Sequence, residues 1–262
     1  MSLSINTNIE SLIAQRNLNN TQGGLTTSLE RLTSGLRINS AADDAAGYAA
    51  NQRMQGQVNG VAQAQQNTQD AVSLVQTAQG ALNDVEQMLQ RMRELAVQRA
   101  NGTNSASDKE AIEGESKQLE KEIERVGETT KFNGVELLAK KEEITFQVGP
   151  DEKETIAVET AKLSEATKGI KIEEIKTVEE AINKVATLAG EFGAVQNRLQ
   201  YTQSNQAIYG ENLSAAQSAL VDANMAAEMS NFTKSQVLQQ ADVALLTQAN
   251  SLPQAVLKLV GA

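Results

Sequence analysis

Apolar residues recur at helical spacing over most of this 262-residue chain. In the first forty residues they lie three or four positions apart, the interval that places side chains on one face of a helix and forms the contact stripe of a coiled coil. A second stripe, with Gln and Thr at several positions, predicts a helix from about 41 to 99. The pattern therefore predicts long amphipathic helices.

The following segments predict a third helix, a small β insert and a last helical tract. Ser107 and Glu110 have the spacing of a capping box and predict the start of the third helix. Apolar and polar residues then alternate around Gly149-Pro150, which predicts a hairpin that pairs 144–148 with 155–158. The "KFNGVELL" segment before it predicts a turn. A capping box at Thr177 predicts the start of one helical tract that continues to the end of the chain.

The predicted fold class is all-α, a long antiparallel helical bundle or coiled coil with a small β-hairpin insert. The N- and C-terminal helices are expected to pair because each has an apolar stripe and no other partner. The expected domains are the paired terminal helices, 1–40 and 220–262, and a rod-like bundle, 41–219, with its hairpin region at about 132–170. Adjacent apolar residues such as Leu245 and Leu246 place apolar surface on more than one face, which predicts self-association.

The stretch "RLTSGLRINSAADDAAG", residues 31–47, interrupts the first two helical patterns. We interpret it as a joint in which a glycine ends one helix and a Ser-x-x-Asp capping box starts the next. The paired carboxylates of Asp43 and Asp44 could instead bind a hard cation. Adjacent positions do not face each other on a helix, so the helix start is the better interpretation. The predicted joint residues are Gly35, Arg37, Asn39, Ser40 and Asp43.

Composition narrows the possible functions. Aromatic residues make up only 3% of the chain, which favours thin cores between helices over a thick globular core. The chain has no Cys and no His, the usual metal ligands and general bases, and its net charge is −10. We therefore expect no catalytic residue, no cofactor, no metal site and no nucleic-acid partner. No apolar run is long enough to span a membrane, and no membrane partner is expected.

Longer stretches of the sequence resemble a known family. "RLTSGLRINSAADDAAG", "NTQDAVSLVQTAQGALNDVEQMLQRMRELAVQRANGT" and "KFNGVELL" resemble the N-terminal half of bacterial flagellin, and "FGAVQNRLQYT" and "ENLSAAQSALVDANMAAEMSNFTKSQVLQQADVALLTQANSLPQAVLKLV" its C-terminal half. The resemblance covers about 1–138 and 175–262, and 139–174 resembles nothing in particular. The chain is similar to a short flagellin without outer variable domains.

The resemblance implies a structural subunit that self-assembles into the flagellar filament for swimming. It implies export by the flagellar type III apparatus without a cleaved signal, and an extracellular location in the filament. The implied partners are other copies of the chain, the flagellar cap, hook-associated proteins and an export chaperone at the C-terminal helix. In the family, the paired terminal helices form the inner core of the filament.

The resemblance also implies two sets of contact residues. The first is the filament-core interface: Ile5, Ile9, Leu12, Leu29, Leu32, Leu36, Leu238, Leu245, Leu246, Leu252, Val256 and Leu257. The second is a contact with the host innate immune Toll-like receptor 5, carried in the family by a "QRxREL" segment and a following glutamate. The matching residues are Arg91, Leu95 and Glu115.

Three alternatives remain open from the sequence. A hook–filament junction protein would have flagellin-like termini. An unrelated coiled-coil export substrate, such as a type III needle or translocator protein, would also be helical. An enzyme that uses paired carboxylates belongs to a different class, and the lack of His and Cys disfavours it.

Overall fold

The computed structural model describes residues 7–260, with side chains for residues 7–251. The elements in this described part are, in chain order, α1 Ile9–Ser34, α2 Ala45–Ala100, α3 Ala106–Thr129, β1 Lys131–Phe132, β2 Val135–Glu136, β3 Glu143–Gln147, β4 Thr155–Glu159, α4 Leu163–Ala166, α5 Ile175–Val221 and α6 Met225–Val260. The predicted all-α fold with paired terminal helices and a small β insert is confirmed.

The chain forms two compact units. The terminal unit combines the chain up to Gly56 with the chain from Leu213 onward, and the central unit runs from Gln57 to Asn212. These boundaries lie inside the predicted 41–219 domain because the first turns of α2 bond to the last turns of α5. The Gln217 side-chain amide, for example, donates to Asn51 Oδ1 and to Gln55 Oε1, each at 2.8 Å.

The terminal unit contains α1 packed antiparallel on α6. The Asn8 side chain accepts from Ser11 N and caps α1, while its Nδ2 donates to the Ala249 carbonyl at 2.8 Å. Thr21 Oγ1 donates to Asp242 Oδ2 at 2.8 Å halfway along the pair. These contacts join the N-terminal end of α1 to a late part of α6, which fixes the antiparallel direction.

The central unit has one large apolar core. It is lined by α2, α3 and α5, by both strands of the longer hairpin and by α4. Its largest fully buried members include Leu82, Leu89, Met92, Ile123, Leu137, Leu138, Leu163 and Leu199. A smaller cluster of Leu95, Ala96, Ile112 and Ile172 lies at the C-terminal end of α2. The apolar sides of the helices and of the longer hairpin thus pack into one core.

Two hairpins form the β insert. β3 pairs antiparallel with β4, with Glu143 opposite Glu159 and Gln147 opposite Thr155. The predicted pairing is confirmed, with strand bounds shifted by one residue. The predicted turn before it is itself a short hairpin, β1 with β2, whose two loop residues Asn133 and Gly134 have φ of 47° and 83°. Asn-Gly suits a type I′ turn because both positions need positive φ.

Two predicted helix starts are wrong. The capping box of α3 uses Ser105 and Asp108, two residues before the predicted pair Ser107 and Glu110. α5 begins at Ile175, so Thr177 lies inside its first turn, where Oγ1 donates to the Glu174 carbonyl at 2.8 Å. In the first case the sequence offers two Ser-x-x-acid pairs two residues apart, and local spacing does not choose between them.

The prediction of a single C-terminal helical tract is also wrong, because the helix breaks at residues 222–224. Asn224 Oδ1 accepts from Ala227 N at 3.2 Å and so caps the start of α6. Asp222 forms an isolated antiparallel bridge with Leu36. The break is therefore held by a partner far away in the sequence.

Candidate assembly interface

The joint and the break at 222–224 lie side by side. Arg37 N donates to the Val221 carbonyl at 2.6 Å, and Ala223 N donates to the Gly35 carbonyl at 2.9 Å. The Arg37 guanidinium also donates to the Leu220 carbonyl at 2.6 Å, one of the α5 carbonyls left without a helical partner. Two interruptions far apart in sequence thus satisfy each other's backbone groups.

Gly35 ends α1 as predicted. It has φ of 74°, and its N–H donates to the Arg31 carbonyl, the usual left-handed helix end. No side chain would clash at this position, so the positive φ alone explains the glycine.

The predicted helix start at Ser40 and Asp43 is wrong by a few residues. Asp43 Oδ2 accepts from Asn39 N, Ser40 N and Ser40 Oγ, at 2.9–3.2 Å, and closes a turn before the helix. These hydrogen bonds from Ser40 and Asn39 lower the pKa of Asp43 below its usual 3.8. α2 starts at Ala45, and the carboxylate of Asp44 caps it by accepting from Ala46 N and Gly47 N, both at 3.0 Å. The carboxylates of Asp43 and Asp44 therefore both accept hydrogen bonds from backbone N–H groups around the start of α2.

The fully buried side chains of the α1–α6 pair are small or polar, whereas larger ones such as Leu32, Phe232 and Leu246 are half-buried. The buried residues of this pair are Ala14, Ser28, Glu228 and Ala249. Glu228 Oε2 lies 3.9 Å from Arg31 Nη1 in an ion pair, in which the arginine side chain is partly exposed. Small residues at the fully buried positions let the two backbones approach, and the described large apolar side chains of the pair are half-buried or exposed.

Large apolar side chains of the same two helices face outward. Ile9 is 62% exposed and Leu245 is 60% exposed. The exposed set on this helix pair is Ile9, Leu12, Ile13, Leu29, Met225, Met229, Val237, Leu238, Val243 and Leu245. Ten exposed large apolar side chains on one helix pair are more than the single scattered residues of an ordinary surface, which favours an interaction site. We call these residues the apolar surface of the terminal unit.

The predicted filament-core residues divide by burial. Ile9, Leu12, Leu29, Leu238 and Leu245 belong to the apolar surface, whereas Leu32, Leu36 and Leu246 are half-buried. Ile5 lies outside the described residues, and Leu252, Val256 and Leu257 lie outside the described side chains. Sequence reasoning missed Met225, Met229, Val237 and Val243 as exposed members, because periodicity alone does not tell which of several apolar faces the partner helix covers.

The three predicted receptor residues lie close together in the central unit but differ in exposure. Arg91 Nε donates to Glu115 Oε1 at 2.9 Å, and both side chains are about half exposed. Glu94 and Glu115 raise the pKa of Arg91. Leu95 is 1% exposed and belongs to the smaller apolar cluster. In this conformation its side chain supports the helix pair and offers no contact surface.

Neither a metal site nor a membrane segment is found in the part of the chain that the structure describes. No group of three or more acidic side chains could hold an ion there. None of the helices with described residues is both long enough and apolar enough to cross a bilayer.

Comparison with known proteins gives matches over nearly the whole chain. Residues 5–143 match the family model of the bacterial flagellin N-terminal helical region, and 175–260 match that of the C-terminal helical region. A flagellin of Halalkalibacterium halodurans is 42% identical, over 98% of this chain and 99% of that one. The flagellar filament 33 kDa core protein of Treponema phagedenis is 36% identical over the same shares. The crystal structure of Bacillus cereus flagellin is 32% identical, with a TM-score of 0.50 over 54% of this chain and 88% of that one.

Proposed function

This chain belongs to the bacterial flagellin family, and we propose from that premise that its terminal unit carries the contacts by which it polymerises. As a flagellin it is a structural subunit that self-assembles into the flagellar filament, which propels a swimming cell. Matches over the full length to flagellins favour this role over a hook–filament junction protein or an unrelated export substrate.

One observation carries the proposal: among the described side chains, the helix pair of the terminal unit fully buries only small or polar ones and leaves ten large apolar ones exposed. Burying a Leu, Ile or Met side chain completely contributes about 1.5–3 kcal/mol. The apolar surface offers such side chains on both α1 and α6. Packing copies of this surface against one another would bury them, and that gain drives assembly of an inner core.

The experiment compares Leu245→Asp with the matched control Leu245→Met in seeded polymerisation. Purified subunits are added to sheared filament fragments, and the critical concentration is measured by light scattering and electron microscopy. Since Leu245 is 60% exposed before assembly, neither change should alter the thermal unfolding of the free subunit.

The expected result follows from the lost burial and the added charge. Removing the buried share of one leucine loses about 1–2 kcal/mol, and burying a carboxylate adds to that loss, so the critical concentration should rise more than about tenfold. Leu245→Met should stay within about threefold of wild type, because it keeps the apolar volume. Leu245→Asp filaments at the wild-type critical concentration would refute the assignment of this surface.

The remaining partners follow from the same surface and the flagellin premise. We propose that the flagellar export chaperone covers the exposed part of α6 before export by the type III apparatus. The cap and the hook-associated proteins would meet the same terminal helices outside the cell, where the filament stands. Binding of the free subunit to the chaperone, measured by titration calorimetry, should weaken with Leu245→Asp. Unchanged affinity would place the chaperone elsewhere.

We further propose that Toll-like receptor 5 contacts the exposed pair Arg91 and Glu115, and that Leu95 acts by holding the helix in place. Arg91→Ala should cost less than about 1 kcal/mol of stability, because exposed ion pairs contribute little. Leu95→Ala should cost about 2–5 kcal/mol as a buried leucine. Thermal unfolding beside a receptor reporter assay separates the two effects. A folded Arg91→Ala variant with full activity would contradict the receptor contact.

A further inference from the structure

Three Asn-Gly pairs lie in three different backbone settings of this chain. Asn59-Gly60 lies within α2, Asn101-Gly102 lies in the loop between α2 and α3, and Asn133-Gly134 forms the turn of the β1–β2 hairpin. An Asn-Gly pair is reactive because the glycine nitrogen can attack the side-chain carboxamide carbon of the asparagine. Glycine has no Cβ to hinder that approach.

We propose that Asn101-Gly102 is a site of spontaneous deamidation and isoaspartate formation in the folded protein. Asn101 Oδ1 accepts from Thr103 N at 3.3 Å, so the carboxamide folds back over its own following peptide. The ring closed by this hydrogen bond contains the Gly102 nitrogen. The carboxamide carbon and its nucleophile are therefore held near each other.

The nucleophile itself is accessible. Among the hydrogen bonds of residues 7–251, none uses the Gly102 N–H, so deprotonation and attack break no backbone bond. Asn101 and Gly102 are both exposed. A Cβ built on Gly102 would meet nothing within 4 Å, which leaves room for a ring to form.

The other two pairs are held by regular structure. Inside α2 each N–H is bonded to a carbonyl four residues earlier, so attack by the Gly60 nitrogen requires local opening of the helix. Gly60 also packs against Pro150, 3.0 Å from a Cβ built on it. In the β1–β2 turn, Asn133 is fixed at φ of 47° by flanking strand pairs and by a 3.0 Å ion pair between Lys131 and Glu136.

The reaction balances with water as its only co-reactant. The Gly102 nitrogen loses its proton and bonds to Asn101 Cγ, and the carboxamide nitrogen leaves as ammonia, which gives a five-membered succinimide. Water then opens the ring at either carbonyl. One product is Asp at position 101, and the other is isoaspartate, whose side-chain carbon has entered the main chain. Each adds one negative charge directly after the C-terminus of α2, where the helix dipole disfavours it.

The test follows the three pairs in one sample of the full chain. Native protein is incubated at 37 °C and pH 8.5, digested with trypsin, and analysed by mass spectrometry for a one-dalton gain and for isoaspartate. Trypsin places Asn101 in the 100–109 peptide and Asn133 in the 132–140 peptide. Asn101 should deamidate at least about tenfold faster than Asn59, because α2 must open locally before the Gly60 nitrogen can attack. It should also react faster than Asn133, because the turn must first leave the φ of 47° that its flanking strands impose. In urea the three rates should converge.

Gly102→Ala is the matched control, because the new Cβ meets open space and should leave the fold unchanged. It should slow the reaction at Asn101 about tenfold or more and leave the rate at Asn133 unchanged, because a Cβ hinders attack by the nitrogen of its own residue. Equal native rates at the three pairs, or a Gly102→Ala rate equal to wild type, would overturn the proposal.

Discussion

Gln206 is a buried amide that joins the longer hairpin to two helices of the central unit. Gln206 is only 7% exposed. Nε2 donates to the Val148 carbonyl at the end of β3 and lies 3.3 Å from Thr68 Oγ1 on α2. Thr68 Oγ1 in turn donates to the Ala64 carbonyl at 2.8 Å. Replacing Gln206 with Leu keeps most of the volume and removes the donor to a buried carbonyl.

The expected loss comes from that carbonyl. A buried acceptor left without its donor costs about 1–3 kcal/mol, and Val148 is itself 7% exposed. For a unit of this size, each kcal/mol lowers the melting temperature by about 2–4 °C, so Gln206→Leu should melt about 2–12 °C lower. Amide exchange of the 143–159 hairpin should also speed up, because its contact with α2 and α5 weakens.

The control is Gln203→Leu, one turn earlier on α5. Its amide bonds to Gln69 Oε1 at 3.1 Å in an exposed setting, where water can replace the lost contact. Its stability should stay within about 0.5 kcal/mol of wild type. The two variants are compared by circular dichroism melting and by exchange mass spectrometry. A Gln206→Leu protein that melts with wild type, with unchanged hairpin exchange, would refute the assigned role of this amide.

Two further predictions concern glycine packing and a helix cap. Gly80→Ala should stabilise the central unit by about 0.5–1 kcal/mol in thermal unfolding, because the new Cβ meets nothing within 4 Å. Gly60→Ala should show no such gain, because its new Cβ would lie 3.0 Å from Pro150 Cβ. Equal stabilisation by the two substitutions would contradict this. Hydrogen bonds from Ser105 hold the pKa of Asp108 below 3.8, so its stabilisation is present above that pH and is lost as the pH falls through the lowered pKa. Asp108→Asn should therefore melt below wild type at pH 7 and approach it below pH 4, and a constant gap across pH would argue against this cap.

The sequence predicts those parts of the fold that depend on local chemistry. Helical stripes, the hairpin around Gly149-Pro150 and the helix end at Gly35 all follow from spacing or backbone preference, and the structure confirms them. The break at 222–224 has neither Gly nor Pro. It is held by backbone bonds to the joint, such as the one from Ala223 N to the Gly35 carbonyl, which no local pattern encodes.

The candidate interface was predictable in kind but not in every member. Apolar residues on several faces of the terminal helices indicated self-association. Which of them are exposed depends on the face that the partner helix covers, which is the face where Ala14 and Ala249 are buried. For Leu95 the sequence motif predicted a contact residue, but the side chain is buried, and the motif gives a residue's position without its exposure.

The hydrogen bonds along α1 and α6 make the lengths of the two helices interdependent. The pair is tied at one end through Gly35 and Ala223 and at the other through Ser11 Oγ, which donates to Asn250 Oδ1 at 2.8 Å. Deleting one residue from α1 alone would turn everything beyond it by about 100° and shift it by about 1.5 Å, aiming the apolar side chains in new directions. Only paired deletions near a whole number of turns would preserve the pattern. Insertions and deletions in α1 and α6 must therefore match each other in length to keep the apolar side chains aligned. The loops outside the helix pair are free of that constraint.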